Sequence, residues 1–269
     1  MSLHLSLRQR PGLRLDLRGL VPATLAALSP AEIERMDIAQ GNRFVPLAEF
    51  FAVTRRGDGD ALVLEGDLSR CDRLGWQLAA GNIVVEGPVG DYAGACMSGG
   101  ELHVKGSAGL LAGCEMSGGA LRVEGDVGDF AASALPGSMD GMRGGSFVVR
   151  GHAGQRFGDR MRRGTAVVFG DAGDFLGSRM VAGTIALGGR PGAHVAYGMR
   201  RGSLVFAGPP PEVASTFVAS AAPIPVFWQL LARDLARHGE PFGALRARRA
   251  QRFLGDLSAL GKGELLLVT

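Results

Sequence analysis

Apolar and polar residues repeat with a fixed period through the middle of the chain. Each unit opens with two apolar residues separated by one other residue and runs through closely spaced glycines to a methionine and a final glycine, as in IVVEGPVGDYAGACMSGG and AVVFGDAGDFLGSRMVAG. The final glycines stand 19 residues apart except once, where the spacing is 26: Gly81, Gly100, Gly119, Gly145, Gly164, Gly183 and Gly202. A second glycine series has the same spacings, which places one seven-residue insertion at 134–140. Such a period predicts a stack of repeated structural units.

The short distance between glycines determines the predicted fold class. Three or four residues leave no room for a helix, which needs roughly ten, so each unit is predicted to consist of very short strands joined at glycine corners. A 19-residue unit with three corners closes one triangular coil, and stacked coils pair each strand with its counterpart one unit away. The prediction is an all-β chain, a right-handed parallel β-helix of 19-residue triangular coils with a small N-terminal α/β cap and a C-terminal helical extension. The spacing does not determine handedness, and the main competing fold, a short-period left-handed β-helix, repeats every six residues, unlike this chain.

Equivalent positions of the units are predicted to form interior columns, because alternate residues of a strand point to the same side. The first two columns are Leu62, Ile83, Leu102, Leu121, Phe147, Ala166, Ile185 and Leu204, and, two residues later, Leu64, Val85, Val104, Val123, Val149, Val168, Leu187 and Phe206. A third contains Leu78, Met97, Met116, Met142, Met161, Met180 and Met199. A thioether metal channel is one interpretation of the methionines. Core packing is preferred, because methionine is a flexible core filler and no histidine or cysteine column accompanies it.

The flanks of the repeats are predicted to cap the open ends of the stack. Residues 1–61 are assigned to an N-terminal cap, with strands near 3–8 and 13–18, a helix beginning at Ser29-Pro30-Ala31-Glu32 and an extended segment near 50–54. Residues 62–208 form the repeat domain, and residues 209–269 a C-terminal helix and tail, with the helix at about 226–238. The outward residue between the first two columns is apolar in the later units, at Val148, Val167, Ala186 and Val205. We therefore expect the C-terminal helix or a partner subunit to cover that face.

Composition narrows the functional classes. Glycine is unusually frequent, at 43 residues, while 46% of the chain is hydrophobic, which disfavours a disordered chain. The formal net charge of +3 indicates a mildly anion-friendly surface rather than a nucleic-acid binder. Three cysteines without a CxxC motif predict neither a zinc site nor a disulfide framework, and favour a reducing, cytoplasmic compartment. Neither a signal peptide nor an apolar run of about 18 residues stands out, so no membrane association is predicted.

The repeats contain few candidates for catalysis. Aspartates recur after corner glycines, with Asp67, Asp126 and Asp171 in one row and Asp91, Asp129 and Asp174 in another. Paired carboxylates in a β-helix groove could cleave polysaccharides, but aspartate beside glycine more often closes a turn, and that interpretation is favoured. The five histidines occupy unrelated positions of the repeat, so no metal site is predicted. We assign no catalytic residue.

An arginine series is the strongest candidate for a binding site in the sequence. Arg143, Arg162 and Arg200 share one position of the repeat, and Arg163 and Arg201 share the next. Stacked arginines repel one another, so an anionic ligand or partner would relieve that repulsion. The candidates are acidic side chains of another subunit or a poly-carboxylate ligand, and the alternative is a solvated corner with screened charges.

The chain resembles the C subunit of formylmethanofuran dehydrogenase, whose repeats are related to the C-terminal domain of glutamate synthase. The likeness rests on GNRFVPLAEFFAV (41–53), LEGDLSR (64–70), the 19-residue GxxGxxxGxxMxxG units and GMRGG (141–145), and covers about 41–208. A composition rich in arginine and alanine suggests a bacterial member. In methylotrophic bacteria this family is similar to the C subunit of the formyltransferase/hydrolase complex.

The resemblance implies a structural role without a cofactor of its own. In that complex a formyl group moves from tetrahydromethanopterin to a methanofuran-type carrier and is hydrolysed to formate. Metal-dependent hydrolysis is expected in an A subunit and formyl transfer in a D subunit, with the C subunit acting as a scaffold beside a B subunit. The arginine series would then meet the polyglutamate tail of the carrier or an acidic partner. The alternatives are the C subunit of a tungsten or molybdenum formylmethanofuran dehydrogenase, and a free-standing carbohydrate-active β-helix enzyme.

Overall fold

The computed structural model describes residues 2–57, 59–222 and 224–269. Most of its regular secondary structure is β-strand. The N-terminal segment contains five strands and two short helices: β1 (Ser2–Leu7), β2 (Leu15–Asp16), α1 (Pro22–Leu25), α2 (Pro30–Glu34), β3 (Asp37–Gln40), β4 (Arg43–Pro46) and, after a 3₁₀ turn at Leu47–Glu49, β5 (Phe51–Arg56). Helix α2 begins where the sequence predicts, because the Ser29 side chain accepts from the amide of Glu32 while the Glu32 carboxylate accepts from the amide of Ser29.

The repeats contribute the central strands. These are β6 (Leu62–Glu65), β7 (Cys71–Asp72), β8 (Asn82–Val85), β9 (Ser98–Val104), β10 (Gly118–Val123), β11 (Arg143–Val149), β12 (Arg163–Val168), β13 (Thr184–Leu187) and β14 (Arg201–Phe206). The C-terminal segment adds β15 (Val218–Ser220), α3 (Pro225–Leu235), 3₁₀ turns at Ala236–His238 and Gly243–Ala247, β16 (Ala250–Gly255) and β17 (Lys262–Val268). The predicted C-terminal helix is confirmed as α3.

A large, mostly parallel sheet contains 13 of these strands, in the order β15-β16-β17-β14-β13-β12-β11-β10-β9-β8-β6-β1-β5. The register follows the 19-residue period, so that Ile83 pairs with Leu102 and Leu102 with Leu121. The long unit keeps the same register, since Leu121 pairs with Phe147 across the insertion. A smaller sheet has the order β4-β3-β2-β7.

Successive repeats also contact one another outside the large sheet. A column of isolated parallel bridges joins Leu68, Val89, Ala108, Val127, Ala153, Ala172 and Pro191. In a third column, the carbonyl of each buried methionine except Met199 accepts a backbone hydrogen bond from the repeat that follows, as Met142 does from Arg162 and Met180 from Arg200. Each repeat is therefore bonded to the next along three separate lines.

The interior columns predicted from the sequence are confirmed. All residues of the first two columns are buried, and Leu78 and the six methionines of the third are at most 1% exposed. The methionines belong to one continuous apolar cluster that runs through the repeats. Their surroundings are hydrocarbon, as core packing requires.

The outer face of the large sheet is covered along its later strands only. Val167, Ala186 and Val205 are completely buried, and they share a second apolar cluster with Trp228 and Leu235 of α3. Of the two predicted covers, the C-terminal helix is confirmed for these three residues, whereas Val148 is also buried but lies outside that cluster. Strand β17 was not predicted, because the predicted organisation has only a helix and a tail after residue 208. It continues the sheet by pairing parallel to β14, with Leu204 opposite Leu265.

Residues other than glycine also occupy left-handed backbone positions in the repeats. Seven residues, all of them non-glycine, adopt a positive φ at one equivalent corner position: Arg73, Tyr92, Leu111, Phe130, Arg156, Phe175 and His194. Several glycines are instead required for close approach. At Gly170, for example, an added Cβ would lie 2.6 Å from the carbonyl oxygen of Gly151 in the preceding repeat. Tight stacking of the repeats, as well as backbone conformation, therefore explains the high glycine content.

Candidate anion-binding site

The five arginines of the predicted series lie at or just before the beginnings of three strands of the large sheet. Arg143, Arg163 and Arg201 are the first residues of β11, β12 and β14, and each follows a buried methionine by one or two positions. The methionine side chain is buried in the core, and the arginines that follow it are exposed on the surface. Because the strands stack in register, arginines that are one or two repeats of 19 residues apart in sequence are brought together in space.

The structure places all five arginines around one cleft, which we call the arginine cleft. Its volume is about 420 Å³, and it is lined by Arg143, Arg162, Arg163, Arg200 and Arg201 together with Val181, Ala182 and Leu260. Leu260 comes from the C-terminal extension. The ladder sets Arg143 opposite Arg163, since a register shift lies between Arg143 and Ser146. The structure brings the five arginines together, and their binding role and ligand stay predictions.

Only part of the positive charge of the arginine cleft is neutralised within the chain. The Arg162 Nε lies 2.5 Å from the Asp140 Oδ1, and the Arg143 guanidinium lies 3.7 Å from the Glu115 Oε2. Among the described residues, no carboxylate lies within 4.0 Å of Arg163, Arg200 or Arg201. Guanidinium groups present paired N–H donors that match carboxylate or phosphate oxygens, so the cleft is suited to binding an anion with several such groups.

Two further arginines, absent from the predicted series, extend the basic surface. Arg160 and Arg179 line an adjoining cleft of about 640 Å³ that shares Arg162 and Arg200 with the arginine cleft. Arg179 donates to both carboxylate oxygens of Asp159, at 2.9 and 2.6 Å. The Asp159 side chain is 5% exposed and also accepts from the Ser178 hydroxyl at 2.6 Å. The same 19-residue spacing relates Arg160 to Arg179 and could have identified this pair.

The recurring aspartates have a structural role. The carboxylates of Asp91, Asp126 and Asp129 accept hydrogen bonds from the backbone amides of Leu110, His152 and Gln155, one repeat further along the chain. Asp171 and Asp174 do the same for the last repeats. The turn interpretation holds for Asp67, whose carboxylate accepts from the amide of Ser69 at 3.1 Å. It does not hold for the other five carboxylates, which bond the neighbouring repeat rather than their own turn.

The cysteines lie in environments that keep them protonated. Burial raises the pKa of Cys71 to about 12 and raises the pKa of Cys114 further still. A thiol with such a pKa carries almost no thiolate at neutral pH, and the thiolate is the nucleophile. Within residues 2–57, 59–222 and 224–269, no three histidine, cysteine or acidic side chains are grouped as a metal site would require.

No protein-family model matches the chain. Curated relatives align with part of it. A segment of 77 residues is 43% identical to the C subunit of the formyltransferase/hydrolase complex Fhc of Methylorubrum extorquens, and covers 29% of each protein. Another of 82 residues is 36% identical to the C subunit of the molybdenum-containing formylmethanofuran dehydrogenase 1 of Methanosarcina barkeri, and covers 29% of this chain and 27% of that one. These alignments thus span under a third of the relatives' length.

A solved structure matches almost the entire chain. A chain in the X-ray crystal structure of the formyltransferase/hydrolase complex FhcABCD from Methylorubrum extorquens, in complex with methylofuran, superposes with a TM-score of 0.89. The two chains are 40% identical, and the match covers 99% of each. In the described part of this chain, no helix is long and apolar enough to cross a lipid bilayer.

Proposed function

The chain belongs to the family formed by the C subunits of formylmethanofuran dehydrogenases and formyltransferase/hydrolase complexes, and from this membership we propose that it is the scaffold subunit of a formyltransferase/hydrolase complex. The observation that carries the proposal is the 40% identity with a chain of such a complex over 99% of both chains. A match of this extent includes the N-terminal and C-terminal segments as well as the repeats.

In this proposal, the chain assembles with A, B and D subunits in the cytoplasm. The complex transfers a formyl group from tetrahydromethanopterin to a methanofuran-type carrier and hydrolyses the formyl carrier to formate. Both reactions take place on partner subunits, and the carrier is used by the complex. The internal use of the recurring carboxylates supports a structural role for the repeats, because these groups are engaged in holding successive repeats together.

We further propose that the repeats form stacked triangular coils of a right-handed parallel β-helix, with 1–61 as an N-terminal cap and 209–269 as a C-terminal extension. Three lines of contact between successive repeats support three-sided coils: the strands of the large sheet, the column of isolated bridges and the methionine carbonyl bonds. A rod of this kind presents equivalent side chains at intervals of about 4.8 Å, which suits a subunit that positions others.

The arginine cleft is proposed to contribute an anion-binding surface to the assembly. Its ligand is the poly-carboxylate tail of the carrier or acidic side chains of a partner subunit. The support is the position of Arg163, Arg200 and Arg201, which face the same cleft with no carboxylate within 4.0 Å in the described chain.

Co-expression with the A, B and D subunits of the same organism tests the proposal. We expect a stable hetero-oligomer in size-exclusion chromatography, and no formyl transfer or hydrolysis by this chain alone. The variant Arg162→Glu/Arg163→Glu should weaken assembly or carrier retention. The matched control Arg43→Glu/Arg246→Glu carries the same charge change on exposed arginines elsewhere and should behave as wild type. A chain that stays monomeric beside its co-expressed partners would refute the scaffold role.

A molybdenum- or tungsten-containing formylmethanofuran dehydrogenase is the second candidate complex. It is favoured by the 36% identity with the Methanosarcina barkeri protein and by 33% identity over 93 residues with the C subunit of the tungsten-containing formylmethanofuran dehydrogenase 2 of Methanothermobacter wolfeii. Elemental analysis of the purified complex distinguishes the two, since stoichiometric molybdenum or tungsten is expected only for the dehydrogenase.

A further inference from the structure

The arginine cleft continues into an apolar cleft at the adjacent corner of the repeats. This apolar cleft has a volume of about 470 Å³, and its hydrophobic lining includes Leu110, Leu111, Phe130, Leu135 and Pro136. Arg160 and Arg179 line both the apolar cleft and the middle cleft of about 640 Å³, which in turn shares two arginines with the arginine cleft. The three clefts therefore form a continuous path across the surface.

The insertion at 134–140 builds one wall of this path. Residues 134–138 line the apolar cleft, and Met139 lines the middle cleft. The Glu115 carboxylate accepts from the amide of Leu135 at 3.2 Å, which anchors the insertion to the preceding repeat. Insertions within repeat proteins map to loops on one face, often the binding face.

Two hydrophobic side chains that line the apolar cleft are exposed to solvent. Leu110 is 47% exposed and Phe130 is 39% exposed, while the interior columns beside them are fully buried. Neither side chain is needed to fill the core. Clustered exposed apolar side chains bordered by charged groups mark surfaces that contact other molecules.

The rest of the path is strongly basic. Its arginines are Arg143, Arg160, Arg162, Arg163, Arg179, Arg200 and Arg201. In the described chain, only three carboxylates lie within 4.0 Å of these seven groups: Glu115, Asp140 and Asp159. An excess of four positive charges therefore lies along the clefts beyond the apolar end.

We infer that the three clefts together are a docking groove for an extended, acidic segment of a partner subunit that carries apolar side chains at one end. The inference rests on the proposed anion-binding role of the arginine cleft and adds the identity of the occupant. Carboxylates of the segment pair with the unneutralised arginines, and its apolar end is removed from water against Leu110, Phe130 and Leu135. A ligand made of carboxylates alone would bury no apolar side chain in the apolar cleft. The three clefts together therefore fit a polypeptide segment better than a uniform poly-carboxylate.

Fluorescence anisotropy with the full-length protein tests this inference. The probes are labelled octaglutamate, octaglutamate with a Leu-Phe dipeptide at its N- or C-terminal end, and octaglutamine with the same dipeptide. We expect one orientation of the dipeptide to tighten binding of octaglutamate about tenfold, which corresponds to burial of roughly one large apolar side chain. The octaglutamine probe should bind at least tenfold more weakly than the matching glutamate probe.

Variants separate the two halves of the groove. Leu110→Ser/Leu135→Ser should abolish the tenfold advantage of the dipeptide and leave octaglutamate affinity within about twofold of wild type. The control Leu13→Ser changes an exposed leucine outside the groove and should leave all affinities unchanged. Arg163→Gln/Arg201→Gln should weaken both glutamate probes equally.

The possible failures are distinguishable. If octaglutamate binds, but the dipeptide adds nothing in either orientation, the inferred occupant is wrong and the anion-binding role survives. If octaglutamate and its dipeptide forms bind no better than the octaglutamine probe, the anion-binding role itself is wrong, and this inference is then wrong as well.

Discussion

Replacing Trp228 with alanine should detach α3 from the outer face of the sheet while the repeats stay folded. Trp228 is 5% exposed and belongs to the apolar cluster that includes Val167 and Val205 of the sheet. Its indole Nε1–H donates to the carbonyl oxygen of Arg248 at 2.8 Å, so the side chain also joins α3 to the segment before β16. The substitution removes both interactions.

The size of the effect follows from the buried surface. A tryptophan buries about 150–250 Å², which at about 25 cal/mol per Å² gives an upper estimate of about 4–6 kcal/mol. The lost hydrogen bond adds about 1 kcal/mol, whereas measured truncations of buried aromatic residues cost about 3–5 kcal/mol. We therefore expect a loss of about 4 kcal/mol in the free energy with which α3 docks on the sheet.

Hydrogen exchange followed by mass spectrometry measures this loss separately for each segment of the chain. Contacts in repeat architectures are between neighbours, so a defect at one end is expected to open locally. Protection of α3 amides should fall by roughly 10²–10³, because about 1.4 kcal/mol corresponds to a factor of ten. Protection in β8–β10 should not change. The control Phe227→Ala lies on the same helix but is already 43% exposed, and should have a small effect. Unchanged α3 protection in Trp228→Ala, or equal loss across all strands, would show that Trp228 does not hold α3 against the sheet.

Three further changes test the packing of the repeats. Met161→Ala should lower the free energy of unfolding by about 2–5 kcal/mol and Met161→Leu by less than about 1.5 kcal/mol in urea titrations, and a leucine variant as damaging as alanine would contradict the packing interpretation of the methionine column. Gly145→Ala should lower the melting temperature, because φ is +81° there and an added Cβ would lie 2.6 Å from the Gly119 carbonyl oxygen; a wild-type melting temperature would exclude such tight stacking. Burial lowers the pKa of His238 below 6.5, so the unfolded chain binds a proton before the folded chain does, and stability should fall as pH drops below about 6.5. His238→Gln should reduce that fall in melting temperature between pH 7.5 and 5.5, and an identical pH profile would contradict the assignment.

The periodic part of the fold was predictable from the sequence because its contacts repeat. A residue and its neighbour 19 positions later occupy the same environment, so burial, strand pairing and the methionine column could be read from spacing alone. The arginine cluster was predictable for the same reason. Helix α2 was predictable from local chemistry, since the capping box at Ser29 and Glu32 lies within four residues.

Features that depend on contacts outside the period required the tertiary structure. Strand β17 pairs with β14 across about 60 residues, and no spacing in the sequence announces that pairing. The neutralisation of Arg179 by buried Asp159 is likewise a matter of side-chain geometry, although their repeat positions are visible in the sequence. The joining of the apolar and basic clefts depends on the insertion at 134–140, whose residues line both the apolar cleft and the middle cleft.

The strand register, the interior columns and the clustering of the arginines therefore follow from the sequence, since each results from one period applied along the chain. How the non-repeating segments extend the sheet and which charges have no nearby carboxylate became visible only in three dimensions. Those properties arise from side chains that meet once in the molecule, and an interaction formed only once leaves no periodic pattern in the sequence.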